Sequence, residues 1–179
     1  MPKIETIDIA TLSNETLLEP FSPENIPRFQ QLLLEWFERE GRHNLPWKPQ
    51  PQFSVEINLY RIWISEIMLQ QTQVATVIPY FERFMKAFPT PQKLAEASEK
   101  EVLKLWEGLG FYSRARNLHS AAKTLVEEFN GIMPREFEKV RALKGVGDTT
   151  ASAILSQGFN LPYAILDGNV RRGLARIIG

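Results

Sequence analysis

The stretch Leu143-Lys144-Gly145-Val146-Gly147-Asp148-Thr149 decides the fold. Apolar residues recur at helical spacing on both of its sides, which predicts two helices, over residues 134–143 and 149–159, joined by this segment. Glycines at positions i and i+2 allow a tight hairpin and leave backbone N–H groups bare. Because the positive end of the second helix faces the same way, the segment predicts a site for an anion such as a nucleic-acid phosphate. The alternative is an ordinary turn between helices, with glycines that serve only steric needs.

The rest of the chain has helical patterning with short connections, so we predict an all-α fold. Residues 48–58 are predicted to form a loop, and the polar residues 70–73 to break a helical segment. Ser98 and Glu101 have the spacing of a capping box at a helix start. The other predicted helices cover residues 28–40, 62–68, 74–88, 94–97, 99–107, 113–129 and 169–178.

Composition limits the class of protein. The chain has 179 residues, 44% of them hydrophobic, which suffices for one domain or two small ones. No apolar run approaches the roughly 18–20 residues of a membrane span, and residues 1–19 lack the layout of a signal sequence, so we expect a cytoplasmic protein with no membrane contact. The absence of cysteine excludes disulfides and thiolate metal sites within these residues. With two histidines, His43 and His119, we expect no metal site in this chain.

Charge is distributed unevenly along a chain whose formal net charge is zero. Residues 1–59 hold five basic and nine acidic side chains, whereas residues 110–179 hold ten basic and six acidic ones. A neutral total argues weakly against a nucleic-acid partner, but phosphate contacts need only a local basic patch. The sequence therefore places its basic surface in the C-terminal part.

Two acidic residues are candidates for chemistry. Glu66 has Ile62, Trp63 and Leu69 at helical spacing, and a carboxyl among apolar groups loses hydration, which favours its neutral form and suits a general acid. The alternative is a glutamate at the edge of an apolar stripe that reaches water. Asp167 follows an apolar run and precedes a helix, where it would be a rigidly held carboxylate or simply an N-cap.

Two further segments are suited to nucleic acid. The uncharged amides of residues 70–73 can enter a base stack and bond to base edges, although a plain helix break is the alternative. Phe111 and Tyr112 offer ring faces beside a glycine turn, with Arg114 and Arg116 directly after them. Aromatic and arginine side chains together suit nucleic acid, although core packing explains such rings as well.

These motifs together resemble the helix-hairpin-helix DNA glycosylase superfamily, which includes endonuclease III, and within it the MutY-type adenine DNA glycosylases. The resemblance covers residues 28–179 and rests on several motifs in the same order. They are Ser65-Glu66-Ile67-Met68-Leu69-Gln70-Gln71-Thr72-Gln73-Val74, the hairpin of residues 143–147 and Leu166-Asp167-Gly168-Asn169-Val170-Arg171, with Leu45-Pro46-Trp47, residues 77–84 and residues 108–119 in support.

The resemblance implies a six-helix barrel over residues 60–163, with the helix-hairpin-helix at about 135–159, and an N-terminal extension over residues 1–27. A second helical lobe, from residues 28–59 and 164–179, would be incomplete. In the family, cysteines beyond the Asp167 motif hold a 4Fe-4S cluster, so we expect this chain to be truncated at its C-terminal end and to bind no cofactor except a monovalent cation at the hairpin carbonyls. A further domain that senses 8-oxoguanine would also be absent.

The implied function is hydrolysis of the N-glycosidic bond of adenine mispaired with 8-oxoguanine or guanine in double-stranded DNA, by a monomer. The resemblance implies that Glu66 protonates the flipped adenine at N7 and that Asp167 stabilises the sugar cation. The further substrate or DNA contacts that it implies are Trp47, Leu69, Gln71, Phe111, Lys144, Gly145, Gly147, Thr149, Asn169 and Arg171. The alternatives are an endonuclease III-type glycosylase for oxidised pyrimidines and a non-catalytic DNA-binding module.

Some positions depart from the family pattern. Thr149 stands where bifunctional relatives have a Schiff-base lysine, so we expect a monofunctional enzyme without efficient strand cleavage. Phe111 replaces a tyrosine, which keeps the ring and loses the hydroxyl. Asp148 places a negative charge near the phosphate site, and Lys48 replaces an arginine. We expect the truncated chain to be weakly active or inactive.

Overall fold

The structure is a computed structural model that describes residues 22–178 of the chain. In this part every regular element is an α-helix and no strand is present, as predicted. In chain order the helices are α1 (Ile26–Glu40), α2 (Val55–Leu69), α3 (Val74–Ala87), α4 (Pro91–Glu96), α5 (Glu99–Trp106), α6 (Tyr112–Phe129), α7 (Phe137–Arg141), α8 (Asp148–Phe159) and α9 (Gly168–Ile178). Of the predicted extension, residues 1–21 lie outside the described residues, and α1 begins within the remainder.

Capping residues and polar breaks set several helix ends. Ser98 Oγ accepts from the N–H of Glu101 at 3.3 Å, and Glu101 Oε2 accepts from the N–H of Ser98 at 2.8 Å, which confirms the predicted capping box of α5. Gly41 directly follows α1 and donates its N–H to Phe37 O at 2.8 Å. Residues 70–73 separate α2 from α3, as predicted.

Three predicted boundaries are wrong. The helix predicted over residues 94–97 starts too late, because α4 begins at Pro91. The predicted loop over residues 48–58 ends too late, because α2 begins at Val55 and is capped by the side chain of Ser54. The predicted helix over residues 134–143 contains only the five residues of α7. A backbone bond of i to i+3 type then leads the chain into the hairpin. All three errors lie at helix ends, where hydrophobic periodicity is least informative.

The central helix of the core is α2. Eight of its 15 residues are buried, and it packs against α3, α6 and α8. The approach to α8 is closest at Gly158, where a Cβ atom would lie 2.1 Å from Leu59 Cδ2. Large buried side chains from several helices complete this core, namely Tyr60, Trp63, Phe81, Phe84, Leu94, Trp106 and Leu118. Because it is packed on several sides, α2 is a rigid support for groups at its edge.

Backbone contacts divide the described residues into two compact units, one of residues 43–165 and one of residues 22–42 with 166–178. Within the smaller unit, α1 has no buried residue and exposes apolar side chains such as Leu32, Leu33 and Trp36. The predicted lobe boundaries, at residues 60 and 163, stay predictions. No helix in the described part of the chain is long and apolar enough to cross a bilayer.

Candidate active site

The hairpin between α7 and α8 has the predicted geometry. Gly145 has φ +83°, and a Cβ atom there would lie 2.9 Å from the Cβ of Asn117 on α6, so glycine is required for its conformation and for space. Val146 donates its N–H to Leu143 O at 3.0 Å, and both side chains are buried. The flanking residues Lys144, Gly147 and Thr149 are exposed. The hairpin is therefore anchored by its apolar residues and open along the rest of its backbone.

The first turn of α8 contains one acidic residue, Asp148. The N-cap of α8 is Gly147, which has no side chain to bond to the first N–H groups of the helix. Asp148 opens the helix and forms an ion pair with Arg141 Nε, and Arg141 Nη1 also lies 3.5 Å from Glu138 Oε2. These neighbours raise the pKa of Arg141, chiefly because Asp148 accepts a hydrogen bond from its guanidinium. The negative charge of Asp148, beside the predicted phosphate site, is therefore paired with the guanidinium of Arg141.

The polar segment after α2 contacts the hairpin. Gln70 Nε2 donates to Thr150 Oγ1 at 3.3 Å and lies 3.4 Å from Gly145 O. The next residue, Gln71, is exposed and has φ +59°, a left-handed conformation that non-glycine residues rarely adopt. The segment is therefore a defined turn beside the hairpin, and its exposed tip is Gln71.

Phe111 is a second exposed residue in the left-handed region. Its φ is +48° and 60% of its side chain is exposed. It directly precedes α6 and follows Gly110, which has φ +77°. A large apolar ring that is exposed and held by a tight turn is suited to stacking on a flat partner.

Arg114 does not face solvent, although its place beside the rings suggests a contact with nucleic acid. Only 8% of it is exposed. Its Nη1 donates to Ile67 O at 3.0 Å, Met68 O at 2.8 Å and Gln70 O at 2.6 Å, and its Nη2 lies within 3.3 Å of Thr72 Oγ1, Leu109 O and Gly110 O. Burial lowers the pKa of the Arg114 guanidinium. By contrast Arg116 is exposed and pairs with Glu99 at 3.1 Å.

Glu66 lies on α2 and is partly buried. Its Oε1 accepts a hydrogen bond of 3.2 Å from Nε2 of Gln157, an exposed residue of α8. Sequence reasoning misses Gln157, because 91 positions separate the two residues and no local pattern relates them. The contact places the candidate acid at the line where α2 packs against α8.

Asp167 belongs to the smaller unit and caps α9. Its Oδ1 accepts from the N–H of Asn169 at 2.9 Å and of Val170 at 2.8 Å, and its backbone O accepts from the N–H of Arg171 at 2.9 Å. Asn169 Nδ2 lies 3.5 Å from Oδ2, while the side chain of Arg171 is exposed. The carboxylate is therefore rigidly held, as both sequence interpretations of Asp167 require.

A protein-family model described as "HhH-GPD superfamily base excision DNA repair protein" matches residues 64–179, which include the hairpin, Glu66 and Asp167. The chain belongs to this superfamily. Solved structures of HhH-GPD-like fold agree: a thermostable thymine-DNA glycosylase has a TM-score of 0.73 and 23% identity over 83% of this chain and 65% of that one. A non-covalent endonuclease III–DNA complex has a TM-score of 0.70 and 21% identity over 85% of this chain and 67% of that one.

Curated relatives of this HhH-GPD chain are more similar in sequence. An adenine DNA glycosylase of Buchnera aphidicola subsp. Baizongia pistaciae is 49% identical over 83% of this chain and 40% of that protein. The adenine DNA glycosylase of Homo sapiens is 46% identical over 85% of this chain and 28% of that protein. The chain thus spans well under half the length of the relatives that it matches.

Two predicted pocket residues of the HhH-GPD chain lie against the core. Trp47 is 5% exposed and contacts the ring of Phe81 edge-on, with centroids 5.4 Å apart. Arg61 donates to the carbonyl of Pro46, which fixes the backbone next to Trp47. Leu69 is partly buried against the same core. A role for either side chain in binding a base stays a prediction.

The residues of this chain do not suit a 4Fe-4S cluster. The sequence has no cysteine, so it supplies no thiolate ligand. Among the described residues, no group of three or more His, Cys, Asp or Glu side chains could hold a metal ion. No step of the chemistry is therefore assigned to the cluster. A monovalent cation at the hairpin carbonyls stays a prediction.

Proposed function

We propose that this protein is an adenine DNA glycosylase that hydrolyses the N-glycosidic bond of adenine opposite 8-oxoguanine or guanine in double-stranded DNA. The observation that carries the proposal is Glu66, a carboxyl on the most deeply packed helix, held by Gln157 within the segment that matches the superfamily. The names of the curated relatives support adenine as the base. The enzyme acts as a monomer.

In the proposed mechanism Glu66 protonates N7 of an adenine that has left the base stack. Protonation lets the bond between C1′ and N9 break, because the electron pair then remains on a neutral purine. The sugar is left with positive charge, which the Asp167 carboxylate stabilises until water adds to C1′ and loses a proton. The cap bonds of Asp167 support this role, since they fix the carboxylate in place.

The DNA contacts follow from the exposed groups. The hairpin backbone and Lys144 bind phosphate beside the start of α8, and Arg171 with Asn169 extends the phosphate contacts. Gln71 fills the space that adenine leaves, and the ring of Phe111 stacks next to the opposite base. Their exposure and left-handed backbones support these assignments. Trp47 and Leu69 shape the base pocket.

Thr149 makes the proposed enzyme monofunctional. A lysine amine at this exposed position on the first turn of α8 could form an imine with the sugar, whereas a hydroxyl cannot. The product is therefore an abasic site in an intact strand.

The test is single-turnover release of adenine from an 8-oxoguanine:adenine duplex, with protein in excess. We expect wild type to release adenine and Glu66→Gln to lose this release, whereas duplex binding by the variant should stay near normal. Release equal in wild type and Glu66→Gln would overturn the proposal. A thymine glycol duplex in parallel separates the oxidised-pyrimidine alternative, and binding with no base release supports the binding-module alternative.

A further inference from the structure

Arg114 is a buried cation whose hydrogen bonds join three segments of the larger unit. Nη1 bonds to the last carbonyls of α2, which have no partner within the helix, and to Gln70 O. Nη2 reaches Thr72 and the carbonyls of the turn before α6. The guanidinium also lies 5.5 Å from the ring centroid of Phe111. One side chain therefore fixes the end of α2, the segment after it and the turn that carries Phe111.

Gln71 and Phe111, two of the four exposed residues with side chains in the left-handed region, are direct neighbours of these bonds. Gln71 follows the carbonyl of Gln70, and Phe111 follows that of Gly110, both of which accept from Arg114. A left-handed backbone is unfavourable at a residue with a side chain, so it persists only where surrounding contacts stabilise it. The hydrogen bonds of Arg114 provide such contacts next to both Gln71 and Phe111.

We propose that Arg114 is a positioning residue that holds Gln71 and Phe111 as one unit for insertion into a base stack. The inference rests on the proposed function, which assigns both side chains to the interior of DNA. The two terminal nitrogens of a planar fork make this bridge, Nη1 to Gln70 O and Nη2 to Gly110 O, and the single nitrogen of an ammonium group cannot occupy both positions. Arg114→Lys thus keeps the charge and removes the bridge between the two segments.

The experiment compares base release from two duplexes, one with adenine opposite 8-oxoguanine and one with adenine opposite an abasic-site analogue. Insertion assists extrusion of a paired adenine more than extrusion of an unpaired one. The single-turnover rate on the 8-oxoguanine duplex divided by the rate on the abasic-site duplex therefore measures how well the inserting side chains are positioned. We expect Arg114→Lys to lower the ratio about tenfold, within the range of coupled neighbouring groups. A loss of folding alone lowers both rates equally. Arg116→Lys, on the same helix and exposed, is the matched control and leaves the ratio unchanged.

A double-mutant cycle makes the coupling explicit. Gln71→Ala should lower the ratio about tenfold in the wild-type background and less than about twofold after Arg114→Lys, because Gln71 is then already misplaced. Thr72→Val removes one bond to Nη2 and the 3.4 Å bond of Thr72 Oγ1 to Gln70 O, and keeps Arg114 itself, so this milder variant should give a smaller decrease. An unchanged ratio in Arg114→Lys and Thr72→Val, or additive effects in the cycle, would overturn the inference while the proposed function stands.

Hydrogen exchange separates this failure from failure of the proposed function. If wild type releases no adenine from either duplex, the proposed function is wrong. Exchange of backbone amides then still tests whether Arg114 couples the segment after α2 to the turn before α6. Arg114→Lys should then speed exchange in residues 70–73 and 108–112 together, without a change in α8. Faster exchange in only one segment, or in neither, contradicts the coupling.

Discussion

Nε2 of Gln157 donates a hydrogen bond to Oε1 of Glu66 over 3.2 Å, which joins α8 to the candidate acid on α2. The bond orients the carboxyl that points one oxygen at a base in the proposed mechanism. Because Gln157 is exposed, replacing it leaves the core intact.

We expect Gln157→Leu to lower single-turnover base release about three- to tenfold, the usual effect of losing one orienting hydrogen bond. Thermal stability should not change. Gln31→Leu is the matched control, since Gln31 is exposed and donates to Glu35 at 2.8 Å on α1. A rate for Gln157→Leu equal to that of the control would show that the bond does not orient Glu66.

Asp167 combines a helix cap with a proposed chemical role, and two substitutions separate them. Asparagine caps helices as well as aspartate but has no charge, so Asp167→Asn should retain stability and lose most base release. Asp167→Ala should lose base release and also about 1 kcal/mol of stability. Urea unfolding and single-turnover rates are the measurements. Near-normal base release by Asp167→Asn would contradict the chemical role of Asp167 and leave only its role as a helix cap.

Asp148 is the acidic residue beside the proposed phosphate site, and it holds Arg141. Asp148→Asn removes a negative charge and releases a cation, so duplex affinity at low salt should rise several-fold. In a plot of the logarithm of affinity against the logarithm of salt concentration, the negative slope should also become steeper by about one. Fluorescence anisotropy over a salt series measures both. Glu99→Gln, which releases Arg116 on another helix, is the control. Equal affinities for both variants would place the hairpin away from DNA.

Thr149 is predicted to prevent imine chemistry. Thr149→Lys should produce a protein–DNA adduct on borohydride reduction, together with strand cleavage, whereas wild type should produce neither despite Lys144 in the same hairpin. Denaturing gels resolve both products. An adduct of similar yield in wild type would mean that another amine reaches the sugar.

His119 makes stability depend on pH. It is 4% exposed, and its Nε2 has no hydrogen-bond partner among the described groups. Burial, aided by Lys123, lowers the pKa of His119 below its ordinary value of 6.5.

The unfolded chain therefore binds the proton first as pH falls, and the free energy of unfolding decreases below about pH 6.5 until the folded-state pKa is passed. His119→Gln should flatten this decrease, as measured by urea midpoints between pH 7.5 and pH 5. An equal decrease in both proteins would assign it to other groups.

Local patterns predict much of the fold. The capping box of α5, the end of α1 and the break over residues 70–73 each depend on groups within about one helical turn, so sequence spacing contains the needed information. The hairpin with Gly145 is predictable for the same reason, since its conformation requires glycine. Hydrophobic periodicity places the start of α2 too late, because its first residues, Val55 and Glu56, are exposed and do not follow the apolar pattern of the core.

The sequence by itself therefore determined an all-helical chain, the hairpin and the two candidate carboxyls, because helix propensity, caps and glycine requirements act over a few residues. Only the tertiary structure decided that Arg114 is buried on carbonyls 44–47 positions away, that Gln157 bonds to Glu66, and that Trp47 lies in the core. Those contacts depend on how whole helices pack, and no short-range pattern encodes which distant polar atoms such packing brings within hydrogen-bond distance.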